Sequence, residues 1–401
     1  MIMKRATLLA ALLSLTFSIQ ADDWLQFRGP EGTGISADDS LPAKLNRESI
    51  AYEVSLPGRG LSSPIVVGDK LFLTASSGPD EEQLHILCLS VKDGSLIWER
   101  RFWATGRTMT HQKTCVAAPT PASDGKRIFA LYSCNDLFCL DLEGNLVWLR
   151  GLTQDYPNAS NSLGMSSSVA VVDGTVVVQI ENDSQSLALG IDALSGLNRW
   201  MHERPKGANW TSPMIMKYKD GAVALLQSKD GVNAVDVKSG EESFYYADGA
   251  ATIPSGAVSC GVIFAVSRGI TAMKPTGDGR VEQLWRSGMF RPGTASPIVM
   301  DGRIFTVNNA GVLSVGSVED GKRLWQLRMK GPFSASPVSS GKRLYFVNEK
   351  GLVQVVDTST GDEEGKILSS LDLKDTVLGT PAVADGALFI RSDKRLWRID
   401  G

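Results

Sequence analysis

The chain has 401 residues with 41 Lys+Arg against 44 Asp+Glu, a formal net charge of -3. That balance excludes nucleic-acid binding through a basic surface, and 43% hydrophobic with 21% charged residues excludes a disordered chain. Only His85, His111 and His202 could build a histidine metal or acid/base centre, while 40 glycines, above the usual share of about 7%, point to a fold rich in turns.

In chain order, Lys4 and Arg5 precede an apolar stretch from Ala6 to Ile19, and Ala21 supplies a small residue before Asp22-Asp23. This pattern predicts a secretory signal over 1–21; roughly 14 apolar residues fall short of the ~20 that cross a bilayer. The mature chain is expected to be exported, periplasmic or extracellular, soluble, and without a transmembrane segment. No cysteine lies near the cleavage point to carry a lipid. Residues 22–49 read as an N-terminal extension.

From residue 50 onward, glycine-containing turns recur in two series. The first lies at Gly68-Asp69, Asp124-Gly125, Asp173-Gly174, Asp220-Gly221, Cys260-Gly261, Asp301-Gly302, Ser340-Gly341 and Asp385-Gly386, each between two β-type runs. Such pairs mark two-residue hairpins, whose positive φ glycine accepts without steric cost. The second lies at Asp93-Gly94, Glu143-Gly144, Ser195-Gly196, Ser239-Gly240, Asp278-Gly279, Asp320-Gly321, Thr360-Gly361 and Asp400-Gly401. Most of these lead into an apolar strand ending in a tryptophan, Trp98, Trp148, Trp200, Trp285 or Trp325, with Phe244 in the same place. Each unit is therefore four strands, A to D, and the tryptophans are expected to pack between units.

Marker residues Pro64, Pro121, Val169, Pro213, Gly256, Pro297, Pro337 and Pro381 space the units at about 45 residues, the period of a propeller blade. The eighth unit stops before its fourth strand, and an orphan strand, Ile50 to Val54, precedes the first. The predicted fold is all-β: an eight-bladed β-propeller over 50–401, closed by the N-terminal strand completing the last blade.

Trp24-Leu25-Gln26-Phe27-Arg28-Gly29-Pro30, the eight turn-bearing units and the Asp-x-x-x-Gly-x-x-x-Trp pattern, as from Asp192 to Trp200, make the chain similar to the pyrroloquinoline-quinone (PQQ)-repeat propellers, of the exported single-domain type. Relatives in that family include the outer-membrane assembly propeller, a lipoprotein, and the quinoprotein alcohol dehydrogenases. The resemblance implies the fold; it names a structural unit more than a cofactor site. The dehydrogenases carry two adjacent cysteines over the quinone and carboxylates around a calcium ion, and no two cysteines are adjacent here.

In a four-stranded blade the D–A connections and B–C turns share one face, and the longer segments gather there, Phe102 to Val116 and Gly151 to Ser166 among them. Candidate ligand-binding residues on this face are His111, Lys113, Asn161, Glu181, Asn182, Lys229, Arg268, Asn308, Asn348 and Arg391, a donor and acceptor set suited to a protein, peptide or glycan. A two-residue turn at Asp124-Gly125 would set Cys115 opposite Cys134, a disulfide candidate; Cys134 with Cys139 is the competing pair. No nucleophile elbow, His-Glu-x-x-His or phosphate loop occurs, so no catalytic or metal residues are assigned. Two readings follow. One is a monomeric, non-catalytic binding or scaffold protein using this loop face. The other is a PQQ-dependent oxidoreductase with calcium, in which Glu181, Asn182, Lys229 and Arg268 line a cofactor pocket.

Overall fold

The computed structural model describes residues 23–160, 163–361 and 363–400; the expected signal segment and Asn161 lie outside them. Eight sheets of antiparallel strands follow one another. Blade 1 comprises Ile65–Val67, Lys70–Ser77, Gln83–Ser90 and Leu96–Trp103 as strands A to D. Blade 8 comprises Ala382–Ala384, Ala387–Arg391 and Arg395–Ile399, and its fourth strand is Ile50–Ser55 from the other end of the chain. That strand runs antiparallel to Arg395–Ile399, with Ile50 opposite Ile399 and Ser55 opposite Arg395. The inner strands of blades 8 and 1 touch, so the ring is closed and no blade is left with a bare outer edge at the seam.

Five of the first-series turns fall as expected. At Asp173-Gly174, Cys260-Gly261, Asp301-Gly302 and Asp385-Gly386 both central residues have positive φ, the twist that suits a two-residue hairpin. Three differ. The turns at Tyr218 and Ser340 use Lys219-Asp220 and Gly341-Lys342, one residue off the predicted pairs. In blade 2 the turn takes four residues, Asp124 to Arg127, between the paired Ser123 and Ile128, because Asp124 Oδ1 accepts the amides of Lys126 and Arg127 at 3.0 and 2.7 Å and holds the loop open. Ala122 then faces Phe129. The register that set Cys115 opposite Cys134 is not made, and all five cysteines are free thiols.

Trp98, Trp148, Trp200 and Trp325 are the third residue of strand D rather than its end, Trp285 is the fifth of seven, and each ties its blade to the next. Their indole Nε1–H groups donate to Leu142 O (Trp98, 3.0 Å), Ala193 O (Trp148, 3.2 Å), Val237 O (Trp200, 2.8 Å), Val318 O (Trp285, 2.8 Å) and Gly361 O (Trp325, 3.4 Å). At the seam Tyr52 plays this part, its hydroxyl donating to Val91 O at 3.1 Å. In blade 7 the same register holds Ser369, and the N-terminal extension fills the gap: Leu45 N donates to Ser369 Oγ at 3.0 Å and Ser369 Oγ donates to Ala43 O at 2.9 Å.

The extension also plugs the ring. Trp24 pairs with Val66 of blade 1, Ser123 N of blade 2 donates to Leu25 O at 2.8 Å, and Ile35–Ser36 adds a parallel fifth strand to blade 7. Between these, Arg28 lies in the channel, 1% exposed, its Nη1 donating to Gly256 O at 2.9 Å and its Nη2 to Pro297 O. Burial pushes its guanidinium down to about 10. Among the described residues the extension thus fills the central channel toward the A–B turn face.

Candidate functional site

Above the plug lies an axial cavity of about 390 Å³ with Phe27 on its floor and residues from all eight blades in its wall. The lower tier of that wall is a ring of hydroxyls, one per blade: Ser63, Thr120, Ser168, Ser212, Ser255, Ser296, Ser336 and Thr380. Each directly precedes a marker residue, and the ring is built by backbone chemistry. The amide of Ser63 donates to Thr120 Oγ1, that of Thr120 to Ser168 Oγ, and so on round to Ser336 N on Thr380 Oγ1, at 2.9–3.1 Å. Strand A is short and its entrance has no ladder partner, so a hydroxyl from the next blade satisfies the orphan amide, worth about 1 kcal/mol each.

The eighth link is missing: Ser63 Oγ has no hydrogen-bond partner. Arg391 spans this seam instead, its Nη1 donating to Ser62 Oγ at 3.1 Å and to Thr74 O at 2.7 Å. It is fully buried, and burial pushes it down to about 10.

Two residues earlier in each blade, on the same face of the extended chain, stands an upper tier: Leu61, Ala118, Ser166, Trp210, Ile253, Thr294, Ser334 and Leu378. It is apolar except for three hydroxyls. At the mouth, the segment between blades 1 and 2 leans over the opening. His111 N donates to Leu163 O at 2.7 Å, and Lys113 Nζ reaches Glu349 of blade 7 at 2.9 and 3.0 Å. Lys113 N donates to His111 Nδ1 at 3.1 Å, so that nitrogen is the acceptor and the ring proton sits on Nε2.

Of the described candidates, His111 and Lys113 line this cavity, and the others do not. Glu181 is buried between Arg204 Nε at 2.8 Å and Asn209 Nδ2 at 2.8 Å; burial raises its carboxyl, against the pull of Arg204. Asn182, Asn308 and Asn348 cap their own B–C turns, each side-chain oxygen accepting amides a few residues on. Arg268 pairs with Asp248 at 3.2 Å on the surface, Lys229 is exposed, and Arg391 is walled in. At the end of strand B these side chains fasten the turn. The hydroxyl ring was overlooked although its signal was present, a Ser or Thr directly before every marker residue.

One further constellation carries no sequence motif. On blade 1, Ser77 Oγ lies 2.6 Å from His85 Nε2, and His85 Nδ1 lies 2.6 Å from Glu99 Oε1. The order of atoms is that of a hydrolase triad. Here Ser77 Oγ also donates to Gln83 Oε1 at 3.1 Å, Glu99 is held by Arg101, and His85 is 2% exposed. Gly58 packs so closely over Ser77 that a Cβ there would stand 2.9 Å from the serine Cβ. The unit ties strands B, C and D together.

A quinone with calcium needs carboxylates converging on the cavity. No Asp or Glu is in its lining, and among the described residues no group of three His, Cys, Asp or Glu could hold a metal ion. The residues present do not fit that cofactor set.

No helix among the described residues is long and apolar enough to cross a membrane. Over 182 residues the chain is 25% identical to Outer membrane protein assembly factor BamB of Moranella endobia, covering 45% of this chain and 41% of that one. The chain thus spans well under half the length of this curated relative. The crystal structure of BamB from Moraxella catarrhalis superposes with a TM-score of 0.64 at 16% identity, over 88% of this chain and 97% of that one. Quinohemoprotein alcohol dehydrogenase from Comamonas testosteroni gives 0.68 at 12% identity, over 95% and 81%. These two likenesses establish the propeller fold alone. The family model described as Outer membrane protein assembly factor BamB matches residues 44–159, 86–247 and 268–364. Most of the propeller is covered by those matches, and the chain belongs to that PQQ-repeat family.

Proposed function

We propose that this chain is an exported, non-catalytic propeller scaffold of the outer-membrane protein assembly type, meeting a protein partner on the loop face formed by D–A connections and B–C turns. The observation that carries this reading is the family match over 44–247 and 268–364, to a family described by an assembly factor. The site supports it. Most of the polar candidates on the loop face are spent on ion pairs and turn caps, and the cavity offers a ring of hydroxyls below apolar side chains, with Lys113 at its mouth held by Glu349. Export through 1–21 and a monomeric state belong to the same reading.

Deleting the gene in its own organism tests it: the folded, heat-modifiable β-barrel proteins of the outer membrane should fall in amount. Unchanged levels would count against the assembly role. Titrating the mature protein with PQQ and calcium should leave its melting temperature where it was, and a saturable rise would return the oxidoreductase reading.

A further inference from the structure

We propose that the axial cavity is a binding site for a small organic anion, a monocarboxylate carried on an apolar chain, its carboxylate on the hydroxyl ring and its chain against the upper tier. The inference is independent of the partner on the loop face. Each ring hydroxyl except Ser63 accepts an amide of the preceding blade, and among the described residues none of the eight donates its own proton to a protein atom. Ser63, 1% exposed, stands in the cavity wall with its hydroxyl buried and without any partner. Buried hydroxyls left in that state call for an acceptor. A carboxylate is acceptor only, and several donors converging on one axis suit it better than a sugar, whose own hydroxyls would also need acceptors.

The charge below the ring has the matching sign. Arg28 donates to the carbonyls of Gly256 and Pro297, the residues that follow Ser255 and Ser296, and no carboxylate is among its partners. A guanidinium buried without a counterion favours an anion on the axis above it. Toward the mouth the wall turns apolar at Leu61, Trp210, Ile253 and Leu378. Inorganic phosphate would leave that tier wet, whereas an alkyl or side-chain body would cover it. At about 30 Å³ per water-sized atom, 390 Å³ takes a ligand of roughly 13 non-hydrogen atoms. The carboxylate could belong to a free medium-chain acid or to the end of an apolar peptide; the chemistry is shared.

Isothermal titration of the mature protein with octanoate should show saturable binding of one per chain, with octanol and inorganic phosphate at least about tenfold weaker. N-acetyl-leucine as the free acid, beside its amide, separates the sources: tighter binding of the acylated amino acid than of octanoate points to a chain terminus, and the reverse to a free acid. Ser63→Ala removes a hydroxyl that bonds nothing in the protein, so it should leave the melting temperature unchanged and weaken octanoate about tenfold. Ile253→Asp, at a half-exposed position in the neck, should weaken it further by charge repulsion. The proposal is overturned if neither acid saturates, if octanol or phosphate binds as well as octanoate, or if Ser63→Ala, melting normally, binds octanoate unchanged.

Discussion

Trp200 lies flat on Gly240 of the following blade, so close that a Cβ at Gly240 would stand 2.4 Å from the tryptophan Cβ, while the indole N–H donates to Val237 O at 2.8 Å. Gly240 also has φ +75°, where an L side chain is strained. Gly240→Ala is therefore expected to cost about 1–3 kcal/mol through overpacking and strain. Trp200→Phe keeps the ring but loses the bond and should cost about 1 kcal/mol. Denaturant unfolding of the two variants checks both, and a neutral Gly240→Ala would show that blades 3 and 4 can slide apart freely.

The hydroxyl ring predicts an asymmetry. Ser212→Ala strips the acceptor from the Ser168 amide, which is buried, and should cost about 1–3 kcal/mol, whereas Ser63→Ala should be near neutral. Equal losses in thermal melts of the two proteins would mean that the ring does not link the blades as described.

Arg28 fastens the plug to blades 5 and 6. Arg28→Ala leaves two buried carbonyls without their donor and a hole on the axis, so a loss of about 3–5 kcal/mol is expected. Proteolysis should then cut first within residues 23–40; unaltered resistance there would show that the backbone contacts of Trp24 and Ile35 hold the segment unaided.

Aspartates at the C–D turns make stability depend on acid. The hydroxyl of Ser95, foremost, holds Asp93 down to about 2, Arg199 holds Asp192 well below the usual range, and the Ser239 amide lowers Asp236. A carboxyl depressed in the folded state stabilises it fully above its ordinary value of 3.8 and ceases to as pH falls through the folded value. On their account the melting temperature should be level from neutral pH to about 5 and fall steeply below about 4. Asp192→Asn should flatten that fall, and an unchanged acid limb would remove these turns from the account.

The Ser77, His85 and Glu99 unit gives a check on the non-catalytic reading. Glu99→Gln should lower stability by about 1–3 kcal/mol, because His85 loses a charged partner. Hydrolysis of p-nitrophenyl acetate should be the same for the native protein and Ser77→Ala. A rate that disappears in Ser77→Ala would make this unit an active site.

Much of the architecture was legible because it is local. A turn residue with positive φ, an alternating run and a fixed period are short-range properties, and they were enough to count eight blades and to assign Ile50–Ser55 to the last of them. The shifts at Asp124, Lys219 and Gly341 show the limit: which residue of a turn takes the positive φ depends on side-chain oxygens and on the register of the strands it joins. What no local pattern could decide is what closure brings together. Arg28 meets Pro297 across 269 residues of sequence, and Arg391 meets Ser62 across 329. Those contacts turned an extension into a plug and expected surface residues into buried ties. The eight hydroxyls likewise become one ring only when the last blade is set beside the first: seven bonds join neighbouring blades in sequence, and at the seam closure alone brings Thr380 round to Ser63.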